Sequence, residues 1–177
     1  MFDPKEFVEG CLRASKGDDG PRRVLDLMRS AVQDGAAISR AVAAGANPQA
    51  ILDAPIFRSP ELVVLNVTLP PRLASAPHDH RMWAVIGIYE GQEDNVFYRR
   101  GGARLEEASR RSLRAGETML LGDDVIHAIA NPLPTATRGL HVYGGDLLGV
   151  ARSMWSPDTG EEFPYDARQF FRWCEGG

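Results

Sequence analysis

Between Glu61 and Tyr143 the chain is a succession of short runs cut by Gly, Pro, Asn and Asp: ELVVLNVTL, RMWAVIGIYEG, EDNVFYRR, RSLRAGETMLLG, VIHAIANP and RGLHVYGG. Most are rich in β-branched or aromatic residues, and they stop sooner than the sustained apolar stripe of a helix. Several short strands at near-regular spacing, with turn signals between them, predict an all-β sandwich or barrel. Within this stretch GGARLEEASRRSLRAG is polar and bounded by glycines, which makes it the expected exposed hairpin.

The flanks have a different character. Residues 3–45 read as helical, with Phe7, Cys11 and Leu12 apolar in the first segment and Pro21 placed where a first helical turn tolerates it. AAISRAVAAG closes this part at Gly45, a helix stop. Near the other end, PYDARQFFRWCE reads as a short amphipathic helix over 164–175, able to cap a barrel. A chain of 177 residues can bury one substantial core. The helices show no independent core, so the expectation is one domain over 1–177. It comprises a helical segment over 1–50, a barrel over about 60–160 and the C-terminal helix.

Charge and composition narrow the partners. A net charge of -4 gives no electrostatic footprint for nucleic acid or an anionic membrane, and no apolar run approaches the roughly 18 residues of a spanning helix. The N-terminus carries Asp3 and Glu6 and no apolar core, unlike a secretory leader. Only Cys11 and Cys174 are present, so neither a disulfide framework nor zinc-finger chemistry is expected, and a reducing cytoplasm is the expected location. No Rossmann or P-loop glycine pattern occurs. Nothing in the chain points to an oligomeric state.

Four histidines occur, all after residue 77. His78 and His80, in HDH at the mouth of a strand, are two residues apart, so both imidazoles can point to one face and meet inside a barrel. His127 and His141 sit on two later strands, and either could complete a set of three. Imidazole suits Fe, Zn, Cu or Ni. Any one of these histidines alone would read as an ordinary core or surface residue. The pair with two more inside strands reads as a metal site.

With these residues in view the chain resembles the cupin superfamily. PHDHRMWAVIGIYEG is similar to the first cupin motif, and GETMLLGDDVIHAIANP to the second. Most metal cupins have a glutamate ligand shortly after HxH, but here those positions are Arg81, Met82, Trp83, Ala84 and Val85. A three-histidine site without glutamate resembles the thiol dioxygenases, the group of cysteine dioxygenase and 3-mercaptopropionate dioxygenase. The likeness covers roughly residues 60–160. It implies a mainly β fold: a cupin double-stranded β-helix (jelly-roll) barrel with N-terminal helices and a short C-terminal helix.

What the resemblance implies for the site is specific. His78, His80 and His127 would hold Fe(II). His141 and Tyr143 would form an outer pair, the histidine orienting the tyrosine hydroxyl beside the substrate. Arg152 falls where a carboxylate-binding arginine is expected. Arg81 is a second candidate for substrate binding, although strand alternation sends it to the opposite face from His80. From the residues alone, Tyr143 reads equally well as a core tyrosine, and Arg152 as half of a surface ion pair. The family's serine two residues before the outer histidine is Gly139 here, so the relay would lose that member or recruit water. Neither cysteine is near the motif, so Tyr143 is expected to be unmodified.

The implied partners are a small thiol bearing a carboxylate and O2, with the thiol oxidised to its sulfinate. Three neutral imidazoles leave open positions on iron for such groups. Two further readings stay open, since cupins host many functions. One is another metal-dependent cupin enzyme, a carbon-substrate dioxygenase or an isomerase. The other is a non-catalytic ligand-binding cupin.

Overall fold

The computed structural model describes residues 1–42, 55–102 and 104–175; the predicted helix stop at Gly45 lies outside them. In chain order the elements are α1 (Pro4–Ala14), α2 (Gly20–Ala31), a 3-10 turn (Val32–Asp34), α3 (Gly35–Val42), β1 (Phe57–Arg58), β2 (Val63–Leu69), β3 (His78–Asp79) and β4 (Ala84–Glu90). Then come β5 (Gln92–Gly101), β6 (Arg104–Arg114), β7 (Thr118–Leu121), β8 (Ile126–Ala130), β9 (Thr137–Tyr143), β10 (Ser153–Trp155), β11 (Glu162–Pro164) and α4 (Ala167–Glu175).

The strand pairing is nested. β5 pairs with β6, β4 with β7, β3 with β8 and β2 with β9, all antiparallel, like one long hairpin rolled on itself. Rolling it produces two sheets of order β1-β2-β9-β4-β7 and β11-β10-β3-β8-β5-β6. This is a double-sheet jelly roll, as the resemblance implied. It explains why short strands dominate: most strands end where the chain crosses to the other sheet.

The first sheet is covered on both faces. Its inner face supplies Val63, Leu65, Val67, Ile86 and Ile88 to the core between the sheets. Its outer face, with Val64, Val85, Leu140 and Val142, packs under Val24, Met28, Val32 and Ile38 of the N-terminal helices. All seven residues of β2 are therefore buried, the polar Asn66 and Thr68 included. Asp3 caps α1 by accepting from the backbone N–H groups of Lys5 and Glu6. At Gly87 a Cβ would lie 2.5 Å from the Met28 side chain, so the missing side chain lets α2 settle on β4.

The segment expected as an exposed hairpin is instead one long edge strand, β6, joined to β5 by a turn at Gly102 with φ of 64°. Its row of Arg and Glu leaves little apolar surface for another chain to pair with. Cys11 and Cys174 are buried in different clusters, Cys11 beneath the first sheet and Cys174 on α4, and no disulfide joins them. Among the described residues no helix is long and apolar enough to cross a membrane.

Candidate metal centre

The register of the second sheet assembles the site. His78 of β3 is the direct cross-strand partner of His127 of β8, and His80 follows immediately after β3. His78, His80 and His127 each bring one ring nitrogen within 4.8 Å of the others, and no carboxylate belongs to the group. All three are buried.

The protons on these rings can be placed from their partners. His78 Nδ1 donates to the backbone carbonyl of Ala76 at 3.1 Å, and His127 Nδ1 donates to Asn95 Oδ1 at 2.9 Å. Each bond leaves Nε2 as a lone pair. His80 Nε2 and His127 Nε2 then face one another at 3.3 Å. Without a metal, His80 Nε2 carries the proton and donates it to the His127 lone pair; a cation between the two nitrogens would take that proton's place. Nitrogen ligands about 2.0–2.1 Å from one metal stand roughly 3.0–3.4 Å apart when adjacent in its coordination shell, so the spacing fits.

Electrostatics agree with the geometry. Burial pushes the pKa of His78 and His80 well below the ordinary imidazole range, with neighbouring imidazoles and Arg152 adding to the effect. Burial alone takes His127 down to about 4. The rings are neutral at physiological pH, the form that ligates. His80 Nδ1 has no hydrogen-bond partner among the described residues, so this ring lacks the outer support that His78 and His127 have.

A cavity of ≈ 50 Å³ opens beside the triad. His78, His80, His141, Tyr143, Arg152 and Tyr165 supply its polar wall, and Leu65, Val67, Ile129 and Phe170 its apolar wall. Phe170 of α4 meets the His78 ring edge-on at 5.1 Å, so the C-terminal helix does close one side of the roll. His141 and Tyr143 of β9 are both buried, and the Tyr143 hydroxyl lies 3.2 Å from His141 Nδ1. Burial takes His141 down to about 3, with His127 contributing, and pushes the Tyr143 phenol up, so both are uncharged.

The two candidate arginines part company. Arg152 lines the cavity, donates to the backbone carbonyl of Asp79 at 3.2 Å and stacks on Tyr165. Among the described residues no carboxylate is within ion-pair distance of it. Arg81 does not line the cavity, contrary to a role in holding substrate there. Its backbone is left-handed, with φ of 59°, and its Nε pairs with Asp79 Oδ2 at 2.7 Å. Asp79 Oδ1 accepts from the Ser153 N–H at 2.7 Å, so this cluster ties β3 to β10. Glu90, on an exposed rim, pairs with Arg138.

Sequence reasoning missed Glu93 and Asn95 on β5. Both are buried, and the Asn95 amide donates to Glu93 Oε1 at 2.9 Å while its oxygen accepts from His127. The signal was an inward-facing carboxyl at alternate spacing, concealed by the polar run QEDN. At Gly139, where the family serine would lie, a Cβ would sit 3.0 Å from Ile88 Cδ1, 3.1 Å from the Gly87 carbonyl oxygen and 3.2 Å from His141 Nε2. A side chain there would require these neighbours to give by a few tenths of an ångström.

No family model matches the chain. Among solved structures, the cupin domain of Schizosaccharomyces pombe Cnp3 is 15% identical with a TM-score of 0.46, over 58% of this chain and 69% of that one. A single-substitution variant of Bacillus subtilis oxalate decarboxylase is 18% identical with a TM-score of 0.42, over 50% of this chain. The match spans 22% of the decarboxylase's own length. The DMSP lyase DddQ of Ruegeria pomeroyi is 21% identical with a TM-score of 0.42, over 53% of this chain and 43% of that one.

Proposed function

We propose that the protein is an Fe(II)-dependent thiol dioxygenase that oxidises a small carboxylate-bearing thiol to its sulfinate with O2. The observation that carries this reading is the meeting of two features at one small cavity, whose wall includes His78 and His80. One is a triad of neutral imidazoles with no carboxylate; the other is Arg152, a cation with no acidic partner among the described residues.

When bound, the iron would supply the charge that deprotonates the thiol and the site at which thiol and O2 meet, both oxygen atoms passing to sulfur. The protein's own residues do the rest. His78, His80 and His127 hold the cation without adding negative charge to it. Arg152 orients the substrate carboxylate through its two parallel N–H groups. Tyr143, supported by His141, places a hydroxyl in the cavity wall, and the apolar wall excludes water from the reacting groups. The cavity volume of ≈ 50 Å³ favours a substrate of few atoms.

The test is oxygen uptake by protein loaded anaerobically with Fe(II) and challenged with cysteine, 3-mercaptopropionate and mercaptosuccinate. The expected result is one sulfinate formed for each O2 consumed with at least one of them. Bound iron with no thiol-dependent uptake would overturn the reading.

A further inference from the structure

Two buried polar atoms face each other without hydrogen-bond partners. Glu93 Oε2, on β5 of one sheet, lies 3.6 Å from His141 Nε2, on β9 of the other. The separation is slightly beyond a hydrogen bond, and a few tenths of an ångström would close it. An unpaired buried carboxyl oxygen and an unpaired buried ring nitrogen each cost free energy, and each is the nearest remedy for the other. Gly139 contributes to this arrangement, because the absence of a side chain there keeps the approach to His141 Nε2 clear.

The remaining links are already in place. His127 Nδ1 donates to Asn95 Oδ1, the Asn95 amide donates to Glu93 Oε1, and His141 Nδ1 meets the Tyr143 hydroxyl. We infer that Glu93 is a positioning residue: with Asn95 it joins the ligand His127 to Tyr143 in one hydrogen-bond chain, and it determines which nitrogen of His141 carries the proton.

The polarity of the chain follows link by link. The proton on His127 Nδ1 orients the Asn95 amide so that its N–H groups face Glu93. The carboxylate, with Oε1 occupied, accepts from His141 through Oε2, which places the imidazole proton on Nε2. His141 Nδ1 is then an acceptor, and the Tyr143 hydroxyl donates to it, turning its oxygen lone pairs toward the cavity. A proton on Glu93 Oε2 would reverse the last two links and turn the Tyr143 O–H toward the cavity. Burial raises the Glu93 pKa to about 7, so both arrangements are energetically close near neutrality. The inference deepens the dioxygenase reading only in supposing that a ligand occupies the cavity.

The experiment reads the tautomer of His141 directly, by long-range proton–nitrogen correlation on the metal-free, 15N-histidine-labelled full chain at a pH well above neutral. In the unaltered protein Nε2 is expected to be the protonated, pyrrole-type nitrogen. In Glu93→Gln the carboxamide oxygen stays on Asn95 and the NH2 faces His141, so the proton is expected to move to Nδ1. An unchanged tautomer in that variant would overturn the inference. Should the glutamine variant fail to fold, Tyr143→Phe removes the partner on Nδ1 while leaving Glu93 intact. The proton is then expected to stay on Nε2, and a shift to Nδ1 would equally overturn it. Neither arm contains thiol or O2, so failed oxygen uptake and a failed tautomer switch are separate results.

Discussion

The guanidinium of Arg152 lies over the ring of Tyr165, 3.3 Å from its centroid. Stacking on an aromatic face and a bond to the Asp79 carbonyl hold the cation at the cavity wall without neutralising it. A carboxylate arriving in the cavity meets a charge already oriented and without an acidic partner among the described residues.

For Arg152→Ala the expected outcome is a rise in KM for a carboxylated thiol of about 10- to 100-fold, the loss of a charge-assisted pair worth roughly 1.5–3 kcal/mol. A smaller change in kcat is expected. Steady-state kinetics with thiols that have and lack a carboxylate check this, since the latter should barely respond. Equal losses for both would place Arg152 outside substrate recognition.

Metal retention separates the ligands from their neighbour. His78→Ala, His80→Ala and His127→Ala should each lose metal on gel filtration, whereas His141→Ala should retain it, by elemental analysis. Metal binding to the folded state also adds stability, about 2.7 kcal/mol at a free concentration 100 times Kd. The unaltered chain should therefore melt higher with Fe(II) or Zn(II) present, and the three ligand variants should not.

Without metal, stability should fall steeply in acid. The four histidines are held neutral by burial, His127 at about 4 and His141 at about 3, while the same rings in the unfolded chain protonate near 6.5. Below about 6.5 the unfolded state binds more protons, so stability drops with pH. Glu93 acts in the opposite direction. Raised from 4.5 to about 7, it stays protonated longer in the folded state, and its contribution declines as pH rises across that interval. Four rings outweigh one carboxyl, so denaturation midpoints should be level above neutrality and fall below about pH 6. Midpoints that rise on acidification would contradict the burial of the rings.

Asn131 joins three backbone segments. Its amide donates to the carbonyls of Leu69, Pro70 and Thr135, and its oxygen accepts from the Leu133 N–H and the Thr137 hydroxyl. Asn131→Ala would strand several buried groups at about 1–3 kcal/mol apiece, so a loss of at least about 2 kcal/mol is expected from urea denaturation. Asn131 is thus a junction between β2, β8 and β9.

The fold was legible because punctuation and β-branched runs mark strand ends, and because HDH places two imidazoles on one side of a strand. Which later histidine joins them was not, since that depends on the pairing of β3 with β8. The cross-strand register sets His78 opposite His127 and leaves His141 on the facing sheet. Glu93 and Asn95 were hidden for a related reason. In QEDN every residue is polar, so alternation alone does not say which pair faces inward, and a one-residue slip exchanges the two faces. Arg81 lies on the side that alternation gives it, away from His80 and paired with Asp79, although its own backbone is left-handed.

The nested pairing has a kinetic corollary. His80 and His127 are 47 residues apart in the chain and meet only through the pairing of β3 with β8, which encloses the smaller hairpins between them. Local collapse does not create the triad; the roll must close first, and closing such distant contacts is slow. A cation added during refolding meets only the local His78–His80 pair until then, not the complete triad. Its uptake should therefore follow the last step of barrel closure, which makes metal binding a clock for completion of the fold.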